Sequence, residues 1–106
     1  MSDNDELIRK FALLRIAKIF NVSVDSLRQE NKFGEDLKAS SSSGLFKKNE
    51  YDQIENDIYD VANRQVYKVL SSGNLTIRTV GDYCDHMIRC YETKPADVKH
   101  VLEINL

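Results

Sequence analysis

The scarcity of residues that interrupt helices is the strongest constraint on the fold of this chain. Proline occurs once, at Pro95, and glycine only four times in 106 residues. Apolar residues recur at intervals of three and four over long stretches, which is the period of an amphipathic helix. The one alternating stretch, residues 22–24, is too short for a strand. The sequence therefore predicts an all-α fold, a bundle of about four helices with a short C-terminal helix.

Composition and charge limit the classes of function. A hydrophobic content of 42% with 30% charged residues predicts one folded domain over residues 1–106. A net charge of −2 gives no broad positive field, so we expect no binding to nucleic acid or to a membrane surface. The acidic N-terminus and the lack of a long apolar run predict a cytoplasmic protein.

The first half of the chain holds two helices joined by a long connection. The first helix is predicted over residues 5–20, and the second begins near Asn49, with its apolar face continuing to Ala62. The same pattern then either runs on to Leu70 or breaks near Arg64, and the sequence leaves both possibilities open. Between the two helices, residues 38–48 are rich in serine and are predicted to be a flexible loop within the domain.

The second half has clearer start signals. Thr79 and Asp82, three residues apart, have the spacing of a capping box and predict a helix that begins at residue 79. Pro95 suits the first turn of a short closing helix. Cys84 and His86 lie in the region between these two start signals.

Three short motifs, in this order, resemble the frame of an acyl carrier protein. They are Asn-Val-Ser-Val-Asp-Ser-Leu at 21–27, Phe-Gly-Glu-Asp-Leu at 33–37 and Thr-Val-Gly-Asp at 79–82, with an acidic helix between the second and the third. Each motif alone is weak, but their order covers most of the chain. The resemblance implies a non-catalytic module that carries acyl groups on a phosphopantetheine arm, in acyl or aminoacyl metabolism such as fatty-acid or polyketide synthesis.

The attachment site departs from the family pattern. In the family, Gly-Ala-Asp-Ser-Leu follows Glu-Asp-Leu, whereas here Leu37 is followed by Lys-Ala-Ser-Ser-Ser. Spacing from Leu37 makes Ser41 the candidate for phosphopantetheine attachment. The substitutes are its neighbours Ser40, Ser42 and Ser43.

A second alignment, counted back from the predicted helix, gives a different result. It places Glu50 where the family has its serine and leaves about ten extra residues in the loop. This alignment suits the helix better. A serine at a helix start lies near free N–H groups and the positive end of the dipole, which favours a phosphodiester, and a loop serine lacks both. The alternative function is therefore a non-carrying relative that acts as a protein-interaction or regulatory subunit.

The resemblance also implies a docking face on the second helix. Acyl- or aminoacyl-transferring enzymes, and a phosphopantetheinyl transferase, would recognise its carboxylates, because charge complementarity sets the association rate and the choice of partner. An ordinary solvated helix face is the alternative. The predicted docking residues are Glu50, Asp52, Glu55, Asp57 and Asp60.

The remaining reactive side chains do not suggest catalysis. Cys84 is expected in the core and Cys90 is expected to be partly exposed, with His86 pointing away from it, so no activated thiol is predicted. Neither His86 nor His100 has the spacing of a zinc site with these cysteines, and no metal is expected. Most of the five tyrosines are predicted at the edge of the core with the hydroxyl in water, and Tyr83 is predicted on the apolar face of its helix. A helix-turn-helix DNA-binding function at residues 76–89 is also disfavoured.

Overall fold

Five α-helices and one 3-10 turn make up the part of the chain that this computed structural model describes, residues 3–37 and 50–104. The described residues contain no strand, only isolated bridges, and the predicted all-α bundle is confirmed. The predicted serine-rich loop, residues 38–48, lies outside the described residues. The helices are α1 (Asp3–Phe20), α2 (Glu50–Asp60), α3 (Arg64–Ser71), α4 (Val80–Tyr91) and α5 (Pro95–Leu102), and the 3-10 turn is Val24–Ser26.

Helix α1 forms one wall of the core. Ile8, Ala12 and Ile16 recur every four residues and are buried, because side chains at this spacing share one face of a helix. The helix ends at Phe20; Asn21 then has a left-handed φ of 56°, and the N–H of Val22 bonds to the carbonyl of Ala17 at 3.0 Å. This is the usual way in which a helix satisfies its last carbonyl groups.

The apolar pattern of α2 does not continue into α3. Asn63 has an extended backbone, and its side-chain oxygen accepts a 2.9 Å hydrogen bond from the N–H of Val66. It therefore caps a new helix, which starts at Arg64. Of the two possibilities left by the sequence, the break near Arg64 is the one that the structure adopts.

Helix α4 lies at the centre of the bundle and packs against α1, α2 and α5. Its start is the predicted capping box. Thr79 Oγ1 accepts a hydrogen bond from the N–H of Asp82 at 3.1 Å, and Asp82 Oδ2 accepts one from the N–H of Thr79 at 3.2 Å. Its buried residues are Val80, Gly81, Tyr83, Cys84, His86, Met87 and Cys90.

Helix α5 closes the bundle. Pro95 is at its first turn, as predicted, and Val98, Val101 and Leu102 are buried against the core. The helix ends at Leu102, and the capping residue Glu103 has a left-handed φ of 57°. Within the two described stretches, no helix has the length and apolar character needed to cross a membrane.

Candidate functional site

The second and third sequence motifs lie side by side in the structure. Backbone N–H groups of Phe33 and Val80 donate to the carbonyls of Arg78 and Asn31, each at 2.9 Å, in an arrangement that resembles a short piece of sheet. These bonds tie the loop before α2 to the start of α4. Two segments that are distant in sequence thus form one hydrogen-bonded corner next to the start of α4.

Gly81 allows the closest approach at this corner. Its N–H donates to the carbonyl of Gln29 at 2.9 Å, and a Cβ at position 81 would lie 3.2 Å from that oxygen. Glycine is the residue that lets two backbone segments come this close. The glycine of the Thr-Val-Gly-Asp motif therefore has a packing reason in this chain.

The Phe-Gly-Glu-Asp-Leu segment forms a tight turn. Gly34 has a φ of 97°, and its N–H bonds to the carbonyl of Leu37 at 2.8 Å, while the Asp36 carboxylate accepts a 2.9 Å bond from the N–H of Lys32. Leu37 is buried, and its carbonyl also accepts a 3.1 Å hydrogen bond from the Tyr51 hydroxyl. The turn is thereby connected to the first turn of α2.

An apolar groove lies between this turn, α2, α3 and the segment before α4. Its volume is about 540 Å³, within the range of small-molecule sites in proteins. The exposed carboxylate Glu55 lies at the groove. Apolar and aromatic side chains make up most of its lining, among them Phe33, Tyr51, Ile54, Ile58, Leu75 and Ile77. Such a groove can hold an apolar chain, and among the described residues that line it Glu55 is the only carboxylate and there is no cysteine, histidine or lysine.

The carboxylates of α2 do not all face solvent. Asp52, Glu55 and Asp60 are exposed and Glu50 is partly exposed, but Asp57 retains only 4% of its accessible surface. The expectation that Asp57 belongs to the polar surface is therefore corrected. The signal was present in the sequence, because a residue three after the buried Ile54 lies on the apolar face of a helix.

Asp57 is held by two partners inside the bundle. Arg15 of α1 donates Nε–H and Nη2–H to the two carboxylate oxygens, at 2.9 and 3.1 Å, and the Tyr83 hydroxyl donates at 2.8 Å. The hydrogen bond with Asp57 raises the pKa of Arg15. Burial, and then the charge of Asp57, raises the pKa of Tyr83 well above its usual range. Tyr83, which lies on the predicted apolar face of its helix, is fully buried.

Cys90 and His86 are neighbours in the core, against both expectations for them. Both are fully buried, since residues four apart share one face of α4, and the Cys90 sulfur lies 3.7 Å from His86 Nε2. His86 Nε2 donates to the carbonyl of Ile58 at 2.8 Å. Burial raises the pKa of the Cys90 thiol and lowers the pKa of His86. The pair is therefore neutral and does not form an activated thiolate.

The described start of α2 contains no serine. Ser40, Ser41, Ser42 and Ser43 lie outside the described residues, and the first turn of α2, residues 50–53, contains no serine. The described residues at this helix start therefore do not fit a phosphopantetheine ester. In the portion of the chain that the structure covers, no group of three or more His, Cys, Asp or Glu side chains is arranged to hold a metal ion.

Comparisons with known proteins do not identify a family for this chain, so its function is interpreted from its sequence motifs and its geometry. The resemblance described above depends on the order of the three sequence motifs and on the acidic helix between the second and the third. No protein-family model, curated protein or solved structure matches this chain.

Proposed function

We propose that this chain is an acyl-carrier-protein-like module without catalysis of its own. Enzymes of acyl or aminoacyl metabolism recognise it through the exposed acidic side of α2, and the apolar groove beside that helix receives the acyl chain. The observation that supports this proposal best is the groove, because it lies against the same helix as the exposed carboxylates.

The groove suits an apolar group. Ile54 and Ile58 of α2 line it together with Leu75 and Ile77, so a chain that enters exchanges water for aliphatic contacts. Burial of apolar surface contributes roughly 25 cal/mol per Å². The exposed Glu55 at the groove keeps a charged group next to the entering chain, which favours a neutral apolar ligand over an anionic one.

The proposed docking face has fewer exposed carboxylates than the sequence predicted, because Asp57 is buried. Asp52, Glu55 and Asp60 are exposed at the surface and Glu50 is partly exposed, whereas Asp57 is buried and bonded to Arg15 inside the bundle. Pairs between these carboxylates and basic residues of a partner act mainly on the association rate and on partner choice. We therefore expect binding to such partners to weaken at high salt.

The second candidate function is a non-carrying relative that acts as a protein-interaction or regulatory subunit. One observation favours it: the first turn of α2, residues 50–53, contains no serine. A fold of this kind can retain its docking face after an attachment residue is lost, because the function depends on the site and not on the fold.

Intact-mass analysis distinguishes the two candidates. The full chain is incubated with coenzyme A and a promiscuous phosphopantetheinyl transferase, beside a known carrier protein as the positive control. The carrier proposal predicts a mass increase of one phosphopantetheine group, which Ser41→Ala abolishes, or which peptide mapping places on Ser40, Ser42 or Ser43. No increase, with the control fully converted, would rule out the carrier proposal in favour of the non-carrying relative.

A further inference from the structure

Helix α3 is poorly covered by the rest of the chain. It contains no buried side chain: Val66 and Leu70 are half-buried, whereas Tyr67 is 53% and Val69 is 39% exposed. Two of the four large apolar side chains exposed among the described residues thus belong to this one helix of eight residues. A helix this short is marginal in water unless tertiary packing supports it.

The charges on α3 are all positive. Arg64 and Lys68 are one turn apart, so they share one face of the helix, and both are exposed. Helix α3 contains no acidic residue, and neither cation forms an ion pair with another described residue. Together with Tyr67, these two residues make up what we call the basic face of α3.

The neighbouring helix has the opposite charge. Tyr59 of α2 meets Tyr67 of α3 edge to face, with ring centroids 5.0 Å apart, so the two helices adjoin at their tyrosines. Asp52 and Glu55 lie on the exposed side of α2, and we call these two residues with Tyr59 the acidic face of α2. An acidic face and a basic face therefore flank one pair of aromatic rings.

We propose that this chain forms a two-fold symmetric dimer, in which the basic face of α3 in each copy packs on the acidic face of α2 in the other. A two-fold axis brings each surface onto its complement twice, which is the property of an isologous interface. The aromatic rings of Tyr59 and Tyr67 form the centre of the contact, and the charged residues form its rim, as is typical of protein interfaces.

A second copy of this chain is the partner that best complements the basic face of α3. The complement that the basic face of α3 needs is an acidic face beside an aromatic ring, and α2 of the same chain provides it. The dimer also covers apolar surface that α3 exposes in the monomer. This proposal does not depend on the carrier function. Because it uses the acidic face of α2, dimerisation and partner docking compete for the same residues.

Sedimentation velocity over a dilution series tests the dimer. The wild-type chain is expected to shift from monomer to dimer with concentration, more weakly at high salt, because exposed charges are screened. The pair Arg64→Glu and Lys68→Glu is expected to raise the dissociation constant at least about tenfold, and so is the pair Asp52→Lys and Glu55→Lys, because like charges then oppose each other. An equimolar mixture of the two variants is expected to restore the dimer as a heterodimer.

The control has the same change in charge on other helices. The pair Lys10→Glu and Arg89→Glu, exposed on α1 and α4, is expected to dimerise as the wild type does. Circular dichroism checks that each variant is folded. A wild-type chain that stays monomeric at all concentrations would overturn the proposal. So would a dimer that neither α2 nor α3 reversal weakens, or variants whose mixture does not associate.

Discussion

The carboxylate of Asp57 on α2 accepts a 2.8 Å hydrogen bond from the hydroxyl of Tyr83 on α4 and a bidentate pair of bonds from Arg15 on α1. Three helices that are far apart in sequence thus meet at one buried carboxylate. Among the described side chains, no buried nitrogen or oxygen atom lacks a hydrogen-bond partner, so this polar cluster is satisfied. Arg15, Asp57 and Tyr83 therefore form a buried polar cluster that connects three helices, and we assign this cluster a structural role.

Removal of one charged member of this buried polar cluster should destabilise the fold strongly. Asp57→Asn keeps the size of the side chain but leaves the charge of Arg15 unpaired in a partly buried site, and loss of one member of a buried pair costs about 3–5 kcal/mol. Urea denaturation, followed by circular dichroism, measures the change in the free energy of unfolding.

An exposed ion pair provides the control for this prediction. Arg9 and Asp85 form a 2.7 Å pair whose side chains are 30% and 58% exposed, and Asp85→Asn should cost less than about 1 kcal/mol. Joint replacement by Arg15→Met and Asp57→Leu should be less harmful than Asp57→Asn alone, because no charge is then left unpaired. An equal loss of unfolding free energy for Asp57→Asn and Asp85→Asn would contradict the structural role of the buried polar cluster.

His86 should make the protein sensitive to mild acid. Burial lowers the pKa of His86 in the folded state, so between that pKa and the usual value of about 6.5 the unfolded chain binds more protons than the folded one. The stability that His86 contributes is present above about pH 6.5 and is lost as the pH falls through the lowered pKa. Urea denaturation at about pH 7.5 and pH 5.5 measures the loss of unfolding free energy.

The second histidine gives a matched comparison. His100 is exposed on α5, so His100→Gln should leave the difference in stability between the two pH values almost unchanged. His86→Gln should reduce that difference, although it lowers the stability at both pH values because the side chain is buried. A wild-type chain that is equally stable at both pH values would disprove the role assigned to His86.

The elements with local signals could be predicted from the sequence. The capping box of Thr79 and Asp82 and the first-turn position of Pro95 depend on residues within one helical turn, and the structure contains both. The end of α2 was less certain, because the apolar spacing continues into α3 while the cap at Asn63 breaks the helix. A local cap thus prevails over a longer periodic pattern.

The spacing within α2 indicates that Asp57 lies on the apolar face, but the partners of Asp57 and His86 come from other helices and could not be predicted from this spacing. Asp57 is buried since Arg15 and Tyr83 compensate its charge, and both partners lie elsewhere in the sequence. The candidate site was predicted only in part. The acidic side of α2 holds exposed carboxylates, whereas Ser41, on which the carrier chemistry depends, stays a prediction.

The two thiols should be inert in the folded protein. Cys84 and Cys90 are buried, and burial raises the pKa of Cys84 to about 11, so little thiolate forms at neutral pH. A chromogenic disulfide reagent should react slowly with the native chain and should titrate both thiols rapidly in urea. The reaction of free cysteine under both conditions is the control. Rapid labelling of either thiol in the native chain would contradict the packing of α4.

Gly81→Ala should destabilise the protein, although alanine normally favours a helix over glycine by about 1 kcal/mol. The added Cβ would meet the backbone oxygen and the side chain of Gln29, each within 3.3 Å, and would stretch the hydrogen bond from the N–H of residue 81. The free energy of unfolding, from urea denaturation, measures the loss. Gln29→Gly removes the side-chain contact but not the backbone contact. The double variant Gly81→Ala with Gln29→Gly should therefore be more stable than the sum of the two single losses in unfolding free energy predicts.

An increase in stability of about 1 kcal/mol for Gly81→Ala would show that the loop around Gln29 moves aside without cost. The contact between residues 29–33 and the start of α4 would then be deformable, and it could not fix the shape of the groove.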